Sequence, residues 1–210
     1  MGYKTCYEVF EVRKETPIIN YKVEKCERND IKDFIEKWHY SHNMNGVIST
    51  YCFKLLDGDK LIGAAVFGWL AMANQWKKYT DSKEKLIELR RLCCIDDTVK
   101  NTESYFISRC IKWLKRNTKI EKIVSYADLE FNHEGIIYKA TSFKLIGMTA
   151  KGRVILWNGK RYHDKTIRTF YNGNLKPYAK RLKTALENGK ASYKKTKGKN
   201  IYLKTIRKVW

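Results

Sequence analysis

The sequence has few of the features that mark a membrane protein or a secreted one. Its longest apolar run, residues 61–73, is interrupted by Gly63 and Gly68 and is much shorter than the roughly 20 residues that a membrane-spanning helix needs. The first thirty residues alternate charged and apolar positions and contain no apolar core of a signal peptide. We therefore expect no membrane partner and a cytoplasmic location.

Cysteine pairs and prolines are also scarce. The six cysteines include no CxxC pair, which argues against a zinc framework and predicts reduced, half-buried thiols. Pro17 and Pro177 are the only prolines, so no cluster of breakers marks a linker. With 210 residues, of which 43% are hydrophobic, the chain can bury the core of one domain with an appendage.

Acidic residues are rare in the last sixty positions. Residues 151–210 contain 18 Lys and Arg but only Asp164 and Glu187, whereas residues 1–150 contain 25 basic and 20 acidic residues. A basic block of this size attracts polyanions, and its interleaved aromatic residues offer faces on which bases can stack. Nucleic acid is the favoured partner; a solubilising tail is the alternative, and a membrane surface is less favoured because no long amphipathic helix accompanies the charge.

Hydrophobic periodicity predicts two main helices. Apolar residues recur at helical spacing in residues 31–40, after a cap at Asn29 or Asp30, and again in residues 102–116, after a cap at Asn101 or Thr102. The tight turn Asp57-Gly58-Asp59 predicts an antiparallel hairpin between residues 47–56 and 60–70. Further strands are predicted at residues 4–12, 18–23, 86–95, 123–127, 143–149 and 154–157, and a short helix at residues 134–141.

This order of elements predicts an α/β (α+β) fold, with a mixed twisted sheet and flanking helices. Antiparallel strands come first and a β-α-β-α-β-β series follows. We divide the chain into a catalytic domain at residues 1–150 and a segment at residues 151–210 that contributes closing strands and a basic, aromatic-rich surface for DNA. The lysine-rich stretch at residues 190–199 is predicted to be mobile.

Four ordered motifs carry a resemblance to a known family. They are ELRRL at residues 88–92, NTESYFI at 101–107, VSYAD at 124–128 and HEGIIYKAT at 133–141, followed by Phe143 and Gly147. Together they resemble the Mom family of phage DNA-modification proteins, whose members are variants of the GNAT acyltransferase fold. The similarity is weaker at residues 38–41 and 63–68, and the last sixty residues match only in their basic character.

The resemblance implies an enzyme that attaches a carbamoylmethyl group to the exocyclic amine of adenine in double-stranded DNA. This modification would protect phage DNA from restriction enzymes in the bacterial cytoplasm. The donor would lie between strands 86–95 and 123–127, with its pyrophosphate at the helix that begins at Asn101 and Thr102. It could be acetyl-CoA, another CoA thioester or a glycine-derived species. Residues 93–100 lack the glycine-rich loop of the wider superfamily.

The match of these motifs to the Mom family also implies roles for four side chains. Arg91 would hold a phosphate or carbonyl of the donor, and Ser104 would donate a hydrogen bond beside the helix start. Asp128 would receive or orient the amine proton of adenine, and Tyr138 would protonate the leaving group. The residues alone leave simpler roles open: Arg90 instead of Arg91 could face inward, Ser104 could only cap its helix, Asp128 could end a strand and Tyr138 could be a core aromatic.

Further residues are candidates for binding DNA or a metal. We expect DNA contacts from His39, Tyr40, Trp69, Lys151, Arg153, Lys160, Arg161 and Arg168. Trp69, Trp76 and Tyr79 could stack on a flipped adenine, although such residues more often close a core. His39 and His133 with Asp128 form a weak candidate site for iron, and we assign no metal.

Two other functions compete with DNA modification. One is a GNAT-fold acyltransferase that acts on a protein, transfer RNA or small-molecule amine; the missing glycine loop and the basic tail disfavour it. The other is a DNA-binding protein without catalysis, which would not need Arg91, Asp128 and Tyr138 in a β-α-β-α core. The sequence leaves the oligomeric state open, a homodimer included.

Overall fold

A seven-stranded mixed sheet forms the body of the protein. The structure, a computed structural model, describes residues 20–72 and 74–207. The strands lie in the order β1-β2-β3-β4-β5-β12-β6, and only β4 and β5 run parallel. Their bounds are β1 Tyr21–Cys26, β2 Tyr51–Asp57, β3 Lys60–Gly68, β4 Leu86–Cys94, β5 Lys122–Asp128, β6 Lys144–Met148 and β12 Lys199–Thr205.

The first half of the fold follows the predicted order. The hairpin of β2 and β3 is confirmed, as is the strand β1; the predicted strand at residues 4–12 lies outside the described residues. Helix α1 (Arg28–Trp38) covers one face of the sheet with Ile31 and Ile35. It begins before the predicted cap, because Glu27 occupies the N-cap position and its backbone N–H donates to the Asp30 carboxylate over 2.9 Å.

Helix α2 (Thr102–Asn117) covers the opposite face. Phe106, Ile107 and Leu114 on its inner side are fully buried in the main core, where they pack with residues such as Phe53 and Ile87. The N-cap residue is Asn101, as predicted, but its side chain makes no capping hydrogen bond. Its backbone turns into the helix with a positive φ of 70°, a conformation that asparagine tolerates better than most residues.

Strands β4 and β5 pair for only half of their length. The parallel ladder runs from Leu86 opposite Lys122 to Leu89 opposite Ser125, and beyond that point the strands separate. On its other edge β4 contains a bulge, because Val66 of β3 pairs with Arg91 and Phe67 pairs with Leu89, which leaves Arg90 as the extra residue. A bulge bends its strand, so this one turns the end of β4 away from β5.

Part of the C-terminal segment forms a separate small sheet, and its last strand joins the main sheet. A three-stranded sheet, β11-β7-β8, packs with helix α4 (Pro177–Glu187) around Ile155 and Leu182. Its strands are β7 Arg153–Trp157, β8 Lys160–His163 and β11 Ser192–Lys195, and a small hairpin joins β9 Phe170–Tyr171 to β10 Asn174–Leu175.

Two predictions for this segment were wrong. Residues 154–157 do not close the main sheet beside β6; as β7 they belong to the small sheet. Residues 190–199, predicted to be a mobile stretch, instead contain β11 and the first residue of β12. Strand β12 then lies between β5 and β6, antiparallel to both, so that a strand from the basic segment completes the main sheet.

The described cysteines are free thiols, as predicted. They are Cys26, Cys52, Cys93, Cys94 and Cys110. Burial raises the pKa of Cys26 and of Cys93 to about 12, so both thiols stay protonated and unreactive near neutral pH. Within residues 20–72 and 74–207, no helix has both the length and the apolar character that crossing a bilayer requires.

Candidate active site between two diverging strands

A cavity of 410 Å³ opens where β4 and β5 separate. One wall is the bent end of β4, the other is the end of β5, and the loop after α1 and helix α3 (Ile136–Ala140) close its mouth. Since β5 does not pair with β4 beyond Leu89, the backbone edge of β4 is free to bind an extended ligand there. The cavity brings together six residues predicted for the site: Arg91, Asp128, Tyr138, His39, Tyr40 and His133.

Arg90 and Arg91, at the bulge, both line the cavity but have different partners. The Arg90 guanidinium forms an ion pair with Glu88 over 2.8 Å and also donates a hydrogen bond to the Trp69 carbonyl. The Arg91 guanidinium donates from Nη1 to the Arg90 carbonyl over 2.7 Å, and from Nε and Nη2 to the carbonyl of Asn43 in the loop after α1 at 3.4 Å and 3.3 Å. Because a guanidinium has five N–H donors and three of them are used here, Arg91 keeps two donors for a ligand.

Asp128 lies at the end of β5 and is 6% exposed. One carboxylate oxygen accepts a hydrogen bond from the Glu130 backbone N–H over 3.1 Å, and the other forms a 3.0 Å ion pair with Lys199 of β12. A carboxylate has about four acceptor positions, so Asp128 can still accept a hydrogen bond from a substrate amine. The two partners fix its orientation.

Tyr138 stands on α3 with its ring against Phe143 and Tyr202. Burial raises the pKa of the Tyr138 hydroxyl, and a hydrogen bond with the Ser125 side chain opposes part of that rise. Ser125 is fully buried where the β4–β5 ladder ends, and its hydroxyl donates to the Leu89 carbonyl over 3.1 Å. The Tyr138 hydroxyl is therefore a protonated donor at the inner end of the cavity.

His39 is neutral in this structure. Burial lowers its pKa to about 3, and the nearby positive charge of Arg91 acts in the same direction. The Ser41 backbone N–H donates to His39 Nδ1 over 3.1 Å, which places the ring proton on Nε2. His39 thus contributes an uncharged donor to the cavity wall.

Tyr40 forms an aromatic cluster at the mouth of the cavity. Its ring centroid lies 4.2 Å from that of His39 and 4.6 Å from those of Phe131 and His133. Burial raises the pKa of Tyr40 to about 12, and the negative charge of Asp128 adds to the rise. The packed rings form an aromatic wall next to Asp128.

The candidate metal site does not assemble. Nδ1 of His39 is engaged by Ser41, Tyr40 packs against both imidazoles, and Asp128 is paired with Lys199. Among the described residues, no group of three or more His, Cys, Asp or Glu side chains is placed to share an ion. The hypothesis that His39, His133 and Asp128 bind iron therefore finds no ligand geometry.

The start of α2 fits a pyrophosphate poorly. Thr102 is fully buried and donates to the Val99 carbonyl through both its backbone N–H and its hydroxyl, at 3.3 Å and 2.7 Å. Neither Asn101 nor Ser104 lines the cavity, whereas Glu103 does. A carboxylate at this position repels an anion, and the preceding loop adds Asp96 and Asp97. We therefore derive no step from a CoA pyrophosphate held there.

Besides His39 and Tyr40 in the cleft, the residues predicted to contact DNA are spread over three places. Trp69 lies outside the cleft and lines a separate cavity of 550 Å³ with Met72 and Trp76. Arg161 packs over the Phe131 ring, 5.6 Å from its centroid, at the mouth of the cleft. The others, Lys151, Arg153, Lys160 and Arg168, belong to the C-terminal segment, where Arg153 and Arg168 both pair with Asp164.

Sequence reasoning missed Lys199, Ser125 and Glu103. Ser125 had a local signal, because it is a polar residue in an otherwise apolar strand. Lys199 had none, since its contact with Asp128 depends on where β12 inserts. Glu103 was part of a quoted motif but was not assigned a role.

Comparisons with solved structures show the fold. Spermidine/spermine N-acetyltransferase SpeG from Vibrio cholerae, in complex with manganese ions, matches 90% of this chain and 94% of its own, with a TM-score of 0.50 and 11% identity. A chimera of that SpeG with hSSAT matches with the same TM-score and 12% identity over 89% of this chain and 96% of its own. The predicted GNAT-like acyltransferase fold is thereby confirmed.

Sequence comparison identifies the family. The methylcarbamoylase Mom of Escherichia phage Mu is 26% identical over 147 residues, which are 68% of this chain. The aligned region spans 59% of the length of that relative. The Mom protein family matches residues 20–208, a range that includes the whole cleft and nearly all of the basic segment. The chain therefore belongs to the Mom protein family.

Proposed function

We propose that this protein transfers a carbamoylmethyl group from a small activated donor to the exocyclic amine of adenine in double-stranded DNA. The observation that supports the proposal is the convergence of Arg91, Asp128 and Tyr138 on one cleft where two parallel strands separate. The name of the phage Mu relative, methylcarbamoylase, supports the kind of group transferred, and adenine in DNA is the substrate that the resemblance to the Mom family implies.

The reaction needs two proton movements. The amine nitrogen forms a bond to the transferred carbon while the bond from that carbon to the leaving group breaks; the amine loses one proton and the leaving group gains one. The exocyclic amine is a weak nucleophile because its lone pair is delocalised into the ring. Most of the acceleration must therefore come from positioning and from stabilisation of developing charge.

Four polar residues of the cleft have a part in this step. Asp128, oriented by Lys199 and the Glu130 backbone, accepts a hydrogen bond from the amine and receives or directs its proton. Tyr138, protonated because of its burial, donates to the leaving group. Arg91 and the Nε2–H of His39 offer hydrogen bonds to the donor from the β4 side.

The basic segment would hold the duplex. Residues 151–210 carry the excess of Lys and Arg, and Arg161 stands next to the aromatic cluster at the cleft mouth. Phosphate contacts of this kind give affinity without sequence preference. A base displaced from the stack could lie against Tyr40, next to Asp128.

Mass spectrometry of DNA tests the proposal. The protein is expressed in bacteria, total DNA is digested to nucleosides, and deoxyadenosine carrying a carbamoylmethyl group is sought. The matched control is Tyr105→Phe, which removes a hydroxyl that donates to the Tyr21 carbonyl outside the cleft. Unmodified DNA from cells that contain folded protein would count against the proposal, and an adduct on protein or transfer RNA instead would favour the alternative acyltransferase.

Protection from restriction is a separate proposal. We propose that the modified adenine blocks restriction enzymes in the bacterial cytoplasm that the phage infects. Plasmid recovered from cells that express the protein should resist cleavage at sites containing the modified base. Plasmid that carries the adduct but is cut at those sites would refute protection while leaving the transfer reaction intact.

A further inference from the structure

A small hairpin in the basic segment presents two exposed aromatic rings. Strands β9 and β10 are joined by Asn172 and Gly173, whose φ angles of 49° and 74° are both positive, as a type I′ turn requires. Phe170 is 62% exposed and Tyr171 is 54% exposed. Because successive residues of a strand point to opposite faces, the hairpin carries one ring on each face.

The two faces of the hairpin differ. Lys176 packs over the Tyr171 ring at 4.2 Å, and Tyr171 lines a notch of 190 Å³ at the base of the hairpin. Lys165, Lys176 and the side chain of Thr166 also line this notch, and none of the described residues around it is acidic. A notch of this charge and size suits a phosphate group. Phe170 faces the other way and is not among the residues of the notch.

The position of the exposed Phe170 ring, on a short hairpin within the basic segment, indicates the kind of partner it would suit. Single exposed apolar side chains are common, but here the ring projects from the part of the chain with the highest positive charge. The partner should therefore combine a negatively charged exterior with a flat apolar interior. Stacked base pairs flanked by phosphates have both properties.

We propose that the β9–β10 hairpin binds duplex DNA by inserting Phe170 between adjacent base pairs, while the notch beside Tyr171 holds a backbone phosphate. The inference rests on the proposed function, because a modifier of duplex DNA must open the stack before it can reach the exocyclic amine. Insertion of an apolar side chain unstacks a base step and lowers the energy of moving a base out of the duplex.

A topological assay measures insertion directly. Closed circular plasmid is relaxed by a topoisomerase in the presence of saturating protein, the protein is removed, and the linking number is read from a gel. Wild-type protein should change the linking number, and Phe170→Ala should reduce that change per bound molecule by at least about threefold. Binding is monitored separately by gel shift. The control is Leu145→Ala, which truncates a 54% exposed residue of β6 outside the basic segment.

The outcomes separate this inference from the proposed function. Insertion of Phe170 is refuted if the wild-type protein binds plasmid without changing the linking number, or if Phe170→Ala changes the linking number as much as the wild-type protein does. Neither result would contradict DNA modification. Absence of any DNA binding would overturn both. Phe170→Ala could instead cause the same linking-number change as the wild-type protein but alter the molecular mass measured by analytical ultracentrifugation. Phe170 would then belong to a contact between two copies, and the inference would be overturned.

Discussion

Burial sets the protonation state of the side chains around the cleft. His39 is 4% exposed and its pKa is lowered to about 3, well below the usual value near 6.5. The unfolded chain therefore binds a proton at pH values where the folded protein does not. The stability that His39 contributes is fully present above pH 6.5 and declines as the pH falls from 6.5 toward 3.

Replacement of His39 should make the free energy of unfolding depend less on pH between pH 7 and pH 5. We expect the loss of unfolding free energy between pH 7 and pH 5 to be smaller by about 2 kcal/mol in His39→Asn than in the wild-type protein. Urea denaturation at the two pH values measures it. His42→Asn, at an exposed neighbouring position, is the control and should keep the wild-type difference. Equal differences for wild type and His39→Asn would show that His39 is not a buried neutral residue.

Removal of the Tyr138 hydroxyl should slow the reaction without unfolding the protein. General acids contribute about 10²- to 10⁴-fold, so Tyr138→Phe should lower the rate of modification by at least about 10²-fold. The lost hydrogen bond should change stability by only about 1 kcal/mol. Rates are followed by mass spectrometry of nucleosides, with Tyr105→Phe as the hydroxyl control. Full activity in Tyr138→Phe would remove this residue from the reaction.

Sequence motifs could identify the residues of the cleft that lie within one element, but not the partners that arrive from elsewhere. Arg91, Asp128 and Tyr138 belong to three separate motifs, and all three line the cavity. Strand alternation could not distinguish Arg90 from Arg91, because the bulge at Arg90 interrupts the alternation. Lys199 could not be found, because its position beside Asp128 is a consequence of long-range strand pairing.

At the scale of elements, α3 is held in place by a glycine. Gly135 precedes the helix with a φ of 77°, and a Cβ at this position would lie 2.3 Å from the ring of Tyr202. Tyr202 cannot yield, because it is fully buried and its hydroxyl donates to the Glu134 carbonyl over 2.6 Å. The helix that carries Tyr138 can approach β12 only because residue 135 has no side chain.

Substitution of this glycine should be costly. We expect Gly135→Ala to destabilise the protein by about 3 kcal/mol, since left-handed strain and a steric clash act together. Gly159→Ala is a matched control, with a φ of 69° and no atom within 4 Å of the added Cβ, and should cost only about 1 kcal/mol. Denaturant unfolding gives both values. If the two variants lose equal stability, the contact with Tyr202 does not constrain α3.

Elements with strong local signals were predictable, and those that depend on distant pairing were not. Helices α1 and α2 and the hairpin of β2 and β3 are specified by periodicity and by the turn Asp57-Gly58-Asp59. Residues 154–157 have the composition of a strand, but composition does not state which sheet a strand joins. The insertion of β12 between β5 and β6 likewise has no local signature.

At the scale of the whole molecule, the basic segment and the main sheet share a strand. Deletion of residues 190–210 would remove β12 from the sheet and the Lys199 partner of Asp128, so it cannot serve as a test of DNA binding. Substitutions on the exposed face of α4 avoid this difficulty. Lys180, Arg181 and Lys183 are all exposed there.

Neutralisation of this face should reduce the salt dependence of DNA binding. The logarithm of the binding constant falls with the logarithm of salt concentration by about 0.9 for each phosphate contacted, so Lys180→Gln, Arg181→Gln and Lys183→Gln together should lower the slope by up to about 3. Lys112→Gln, Lys115→Gln and Lys119→Gln, exposed positions in or just after α2, form the control. Equal salt-dependence slopes for the two triple variants would show that the exposed face of α4 does not contact DNA phosphates.

The central position of β12 also sets the order in which the protein can assemble during synthesis. Residues 199–205 are synthesised after the other six strands of the main sheet, yet they form hydrogen bonds with β5 along its full length and supply the cation that orients Asp128. A nascent chain that lacks them has an open sheet edge at β5, and its Asp128 carboxylate lacks the Lys199 partner. Completion of the main sheet, and of the ion pair at Asp128, is thereby delayed until β12 has been synthesised.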